Sequence, residues 1–202
     1  IIKQRYFEEE ISNEVNLSYS DNQVTVTTDY PTLVYTLNSE GYASQCVYSL
    51  SSQNRIYQFS YSAEGYLTGI VENIDNTEYS STSLTYENGD ITSISSKMNG
   101  LENKFIYEPG EESSTYHLPC LGLLEIHPLT FHIEALYAGL LGKDPRHFTI
   151  RSCPAGSNDE KTIYSYEFDK KGNPSRMICQ TTYAGGQANY YPYTRNISVS
   201  FE

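Results

Sequence analysis

Apolar residues along this chain come in pairs two apart, each followed by a short polar stretch that ends in glycine. The segment FSYSAEGYLTGI, Phe59 to Ile70, is one copy. Aligned on glycine, the pairs are Tyr35/Leu37 before Gly41, Phe59/Tyr61 before Gly65, Leu84/Tyr86 before Gly89, Phe105/Tyr107 before Gly110 and Tyr166/Phe168 before Gly172. A spacing of two puts both members on one face of a strand. Five residues after the glycine stands Cys46, Ile70, Ile94 or Met177, at the start of a returning strand. Each unit therefore predicts a β-hairpin whose polar turn closes on a glycine able to take positive φ. NLSYSDNQVTV, residues 16–26, reads as a degenerate first copy with Asp21 and Asn22 in the turn. The first three glycines lie 24 apart and the fourth follows after 21. Hairpins joined end to end at that period predict an antiparallel meander of roughly 10–13 strands. A sheet so wide must curl or close. The expected fold is mainly β, an open or partial barrel, with residues 1–202 as a single domain.

One segment breaks the period. Between Gly110 and Gly172 the pattern changes to a helical one, in HPLTFHIEALYAGLLGK. Leu129, Ile133, Leu136 and Leu140 fall on one helical face. Pro128 suits a first turn, Gly142 a C-terminal cap and Lys143 the negative end of the helix dipole. The reading is one helix near 129–141 inside an insertion at about 117–150. Its apolar stripe needs an apolar surface, and the concave face of the sheet is the place for it.

Composition sharpens this picture. The 202 residues include twenty tyrosines and no tryptophan, with 38% hydrophobic residues, which suits a sheet with one wet face. The net charge of −12 sits in residues 1–112, which carry 5 Lys and Arg against 17 Asp and Glu, while residues 113–202 carry 8 of each. That balance excludes the basic footprint of a nucleic-acid binder and disfavours an anionic membrane surface. No apolar run approaches the roughly 20 residues of a spanning helix.

The chemistry-bearing residues form no recognisable motif. His117, His127 and His132 surround the insertion, but His127 and His132 are five apart with Pro128 between them. A helical metal site wants an i, i+4 pair, so these histidines read as surface or capping residues and no metal is expected. None of Cys46, Cys120, Cys153 and Cys179 forms a CxxC. Cys120 and Cys153 bracket the helical insertion and could be joined by a disulfide in an oxidising compartment. Cys46 and Cys179 read as small buried hydrophobes. Carboxylates are plentiful, yet no nucleophile–base spacing, phosphate loop or dinucleotide fingerprint is present, so no catalytic residue and no cofactor is expected.

The turn repeats YSAEGYLTGI and YEFDKKGNPSRM resemble YD/Rhs-type repeats. Together with LYAGLLGKDPRHF and the hairpin after it, they make the chain, from Leu17 to Phe201, similar to the DUF4595 family of Bacteroidetes exported proteins. The resemblance implies a porin-like fold and an envelope location, in the periplasm or as an outer-membrane lipoprotein anchored through a cysteine upstream of Ile1. It implies no catalytic residues. Two function classes then compete. In the preferred one the chain is a non-catalytic envelope module that binds a polysaccharide or another envelope protein through tyrosines, with Tyr190, Tyr191 and Tyr193 of the NYYPY segment as the ligand-binding candidates. In the other it is a hydrolase whose carboxylates meet in the concave groove. An outer-membrane pore is a third reading, disfavoured because hairpin arms of about 6–8 residues fall short of the 9–11 in membrane-crossing strands.

Overall fold

Hairpin after hairpin, the chain adds each strand beside the one before it. The computed structural model describes residues 2–4, 13–27, 32–50, 53–113, 126–157, 159–170, 174–182 and 193–198. The first seven strands are β1 (Ile2–Gln4), β2 (Asn13–Ser20), β3 (Gln23–Thr27), β4 (Thr32–Leu37), β5 (Ala43–Leu50), β6 (Gln53–Tyr61) and β7 (Leu67–Ile74). Then come β8 (Thr77–Glu87), β9 (Asp90–Met98), β10 (Leu101–Ser113), β11 (His147–Pro154), β12 (Lys161–Phe168), β13 (Pro174–Thr182) and β14 (Tyr193–Ser198). They form one antiparallel sheet in strictly sequential order, and among the described residues no ladder joins β1 to β14. The meander is thus open, as the repeat predicts. The fourteen strands among the described residues exceed the expected count because β1 pairs with β2 ahead of the first repeat.

The turns explain the glycine period. In LNSEGY and YSAEGY the first polar side chain folds back over the loop. The Asn38 amide oxygen accepts from the Glu40 and Tyr42 N–H groups, and the Ser62 hydroxyl oxygen from those of Glu64 and Tyr66. Gly41 and Gly65 then close their loops at φ of 85° and 91°. Asn88–Gly89 is instead a two-residue turn with φ of 53° and 88°, the mirror-image geometry that asparagine and glycine tolerate best. The fourth repeat is phased differently from the sequence reading. Its turn is Asn99–Gly100, at φ of 51° and 77°, and Phe105 and Tyr107 follow it rather than precede it. Gly110 lies inside β10, beside a register shift at Pro109. A Cβ there would meet the Ile150 Cγ2 at 2.7 Å, so close approach of β11 selects this glycine. Gly172 lies outside the described residues.

The aromatic pairs line the core face. Tyr35, Phe59, Leu84 and Tyr107 are buried, and Leu37, Tyr61, Tyr86, Phe105 and Tyr166 pack against them. Phe168 is the exception and is exposed. The residues five after the glycine, Cys46, Ile70, Ile94 and Met177, are all buried.

Residues 126–146 cross this face, between β10 and β11. They are less helical than the sequence predicts: a 3-10 turn, Leu129–Phe131, is followed by a single-turn α1, Ile133–Tyr137. The break is at His132, whose φ of −125° and ψ of 27° leave the helical region. The stripe is nevertheless used, with Leu129, Leu136 and Leu140 buried and Ile133 packed against the core. Gly139, not Gly142, ends α1. At φ of 70° it lets its own N–H reach the Leu136 carbonyl and the Leu140 N–H reach that of Ala135, the paired bonds of a Schellman motif. Gly142 serves a close approach, since a Cβ on it would lie 2.7 Å from the Gly65 carbonyl oxygen.

Beyond α1 the chain straps three hairpin ends in succession. The Ala43 N–H donates to the Leu140 carbonyl, the Lys143 N–H to Gly65 and the Arg146 N–H to Gly89, at 2.7, 2.9 and 3.1 Å. Three extended residues span about 10 Å, which matches the spacing of alternate strands in a sheet, about 9.6 Å. A strap advancing three residues per hairpin therefore stays in phase with a 24-residue repeat. Asp90 fixes its end, accepting from the His147 N–H and pairing with the His147 ring Nδ1, both at 2.8 Å.

Because the crossing segment covers the inner face, a charge in its stripe should destabilise the domain. Leu136→Glu is expected to cost at least about 3 kcal/mol, lowering the melting temperature by roughly 6–12 °C. A shift of only a degree or two in a thermal melt would make the segment peripheral.

Candidate functional site

Register places one polar row at the centre of the inner face. Val24, Tyr35, Cys46, Tyr57, Glu72 and Ser80 are cross-strand neighbours on β3 to β8, and all are buried. Tyr35, Tyr57 and Glu72 are fully enclosed. A carboxylate so placed requires partners on every side. Its Oε1 accepts from the Arg55 Nη1 at 3.0 Å and from the Tyr57 hydroxyl at 3.1 Å. Its Oε2 accepts from the Ser80 hydroxyl at 2.8 Å and meets the His127 Nε2 at 2.6 Å. Burial by itself would raise the Glu72 carboxyl. The hydrogen bonds from His127 and Ser80, the His127 charge and the Tyr57 hydroxyl outweigh it and hold the group below its ordinary 4.5.

His127 and His132 carry the crossing segment onto that row. The His127 carbonyl oxygen lies 3.1 Å from the hydroxyls of both Thr82 on β8 and Ser96 on β9, so the residue is gripped by ring and by backbone. His132 is fully buried, its ring edge-on to Tyr35, Tyr57 and Phe59 at 5.8, 4.4 and 5.3 Å between centroids. Its Nδ1 pairs with the Tyr35 hydroxyl at 2.8 Å, while its Nε2 has no hydrogen-bond partner among the described residues. Burial drives its pKa from 6.5 down to about 3, so this imidazole is neutral. The sequence reading of surface or capping histidines is therefore corrected for His132, which is buried, while His127 stays part-exposed. Neither caps a helix with its side chain, because the break at His132 turns the ring onto the sheet.

Where the row nears the surface, aromatic rings gather around Arg55. Its guanidinium lies 5.9 Å from the Tyr79 ring centre and 5.8 Å from that of Phe131, within cation–π range. Tyr48 and His127 set their rings edge-on to Phe131, which is exposed. This rim can present aromatic faces and a cation to solvent. The carboxylate beneath it has both oxygens engaged.

The structure does not bring the expected site residues into this cluster. Tyr190 and Tyr191 lie outside the described residues, as do His117 and Cys120; Tyr193 opens β14, where its backbone pairs with Thr181. Cys153 is a half-buried residue of β11 and pairs in register with Ile106. Cys46 and Cys179 are buried thiols, as expected, and burial pushes Cys46 up to about 12. Among the described residues no group of three or more His, Cys, Asp and Glu is placed to hold a metal ion. The central residue, Glu72, was missed. Its signal was phase: Glu72 stands between Ile70 and Ile74 at two-residue spacing, and Arg55 stands likewise before Tyr57 and Phe59.

Removing the Glu72 charge leaves Arg55 and His127 facing an uncharged amide. Glu72→Gln is expected to cost about 3–5 kcal/mol at pH 7. A depressed carboxyl stabilises the fold above 4.5 and loses that contribution as pH falls through its folded value. The variant's urea midpoint should therefore fall less steeply than the parent's below pH 4.5. Parallel acid limbs in the two proteins would contradict this.

No curated protein matches the chain. Among solved structures it is similar to a porin-like protein from Bacteroides uniformis ATCC 8492, at 28% identity and a TM-score of 0.85, over 96% of this chain and 79% of that one. The family model DUF4595, described as a domain of unknown function with porin-like fold, matches residues 2–176. With its open antiparallel meander and a family match over most of its length, the chain belongs to the DUF4595 family.

Proposed function

We propose that this chain is a non-catalytic module of the cell envelope, exported and held by an upstream lipid anchor, that binds a neutral polysaccharide or another envelope protein through aromatic side chains. The observation that carries the reading is the occupied inner face. A groove hydrolase needs carboxylates facing a substrate, and a pore needs a lumen. Here that face is taken up by the chain's own Leu129, His132, Ala135, Leu136 and Leu140. The buried carboxylates Glu72 and Asp90 are both engaged with the crossing segment or its neighbours. Among the described residues, what is left for a ligand is the rim and the outer surface.

The outer face also speaks against a pore. Ser83, Ser95 and Lys104 form one outward cross-strand row, and Ser81, Lys97 and Glu102 another, where a bilayer would require an apolar band. The arms are longer than the sequence suggested, since β8 has 11 residues and β10 has 13. Length therefore no longer speaks against a pore, whereas the polarity of these outer rows does. The Tyr48, Tyr79 and Phe131 rim around Arg55 supports binding by stacking, because such rings offer large area at low entropic cost. A net charge of −12 favours a neutral ligand over an acidic one.

A glycan array probed with the parent, a Tyr79→Ala/Phe131→Ala variant and a Tyr191→Ala/Tyr193→Ala variant tests this. One variant should lose at least tenfold in affinity with its melting temperature within about 2 °C of the parent. Turnover of a glycan, abolished in Glu72→Gln, would put the hydrolase reading ahead. Conductance steps in a planar bilayer would favour the pore.

A further inference from the structure

The crossing segment is attached at two points of different chemistry. At His127 the attachment is polar and wet-edged: the Glu72 carboxylate, itself held by Arg55 and Ser80, meets the ring, two hydroxyls meet the backbone carbonyl, and the His127 side chain is 26% exposed. At His132 it is a neutral imidazole sealed among three aromatic rings, with one hydrogen bond and one unpartnered ring nitrogen. A proton added there has no anion in contact among the described residues. Facing His132 from the sheet are Tyr35 on β4, Cys46 behind it on β5, Tyr57 on β6 and, further off, Glu72 on β7. From its own segment the facing groups are His127 and Glu134. Burial holds Tyr35, Cys46 and Tyr57 in their neutral forms and raises Glu134.

We propose that His132 is an acid-sensitive latch: in mild acid it leaves its aromatic box, and the 3-10 turn and α1 lift from the sheet while His127 keeps the segment tethered at Glu72. The direction follows from linkage. A histidine whose folded pKa is depressed from 6.5 to about 3 stabilises the docked state fully above 6.5 and progressively less as pH falls through that window. The Glu72 carboxyl, held below 4.5, stays ionised through the upper part of the same window. The latch therefore opens before the tether. Its opening would uncover Leu129, Leu136 and the sheet residues under them, an apolar surface that the neutral-pH form hides.

Hydrogen exchange at pH 7 and pH 5, corrected for intrinsic rates, tests the latch directly. The amides of Leu136, Ala138 and Leu140 should lose protection by up to tenfold per pH unit below 6.5, while those of β6 and β7 change little. His132→Gln and His132→Phe, each checked for β-sheet circular dichroism, remove the proton acceptor and should flatten this dependence. Unchanged protection in α1, or a fall matched by β6 and β7, would overturn the latch in the parent protein alone. A pH dependence that survives in either folded variant would overturn the assignment to His132.

Discussion

An antiparallel sheet with one apolar face and no closure must have that face covered. Here fourteen strands run in order without a ladder between first and last among the described residues, and the cover comes from the chain itself. Much of the remaining structure follows from this constraint. The insertion falls between β10 and β11, and Ser113 pairs with His147 when the chain returns, so the meander resumes where it stopped. The segment needs no long helix, because its packing rather than internal hydrogen bonding fixes it. Five residues of α1, one 3-10 turn and a strap suffice.

The cover is specified by polarity as well as by shape. An entirely apolar inner face would accept an apolar segment in several positions. Glu72 permits few, since a buried carboxylate whose partners include a histidine from the segment is left exposed to a large penalty in any other register. His127 is gripped at ring and carbonyl from β7, β8 and β9. The strap adds a second register device, matching three residues to each hairpin, with Asp90 and His147 as its stop. A porin-like fold in this family is thus compatible with an interior that is filled and internally neutralised.

How much of this was legible in the sequence depends on range. Local chemistry was readable: Phe59 and Tyr61, the Gly65 loop and Ile70 each behave as their spacing dictates, because hairpins are governed by neighbours in the chain. The phase of the fourth repeat was misread because Asn99–Gly100 and Gly110 both offer a glycine, and only the approach of Ile150 from a strand 40 residues on distinguishes them. Helix length was overestimated for a related reason. The stripe of Leu129, Leu136 and Leu140 is real, but His132 obtains its stabilisation from Tyr35 and Tyr57, across the fold, and leaves the helical path to do so. The centre of the site lay in plain view as Glu72 in phase with Ile70 and Ile74. Its partners, at sequence separations of 8 to 55, were not.

Glu72 and His127 act as one interaction between sheet and cover. A double-mutant cycle of Glu72→Gln and His127→Gln, read by urea denaturation at pH 7, measures that coupling. It should be at least about 1.5 kcal/mol, with the double variant less destabilised than the sum of the single ones. Effects that add within about 0.5 kcal/mol would contradict it, and the cover would then be held by apolar packing alone.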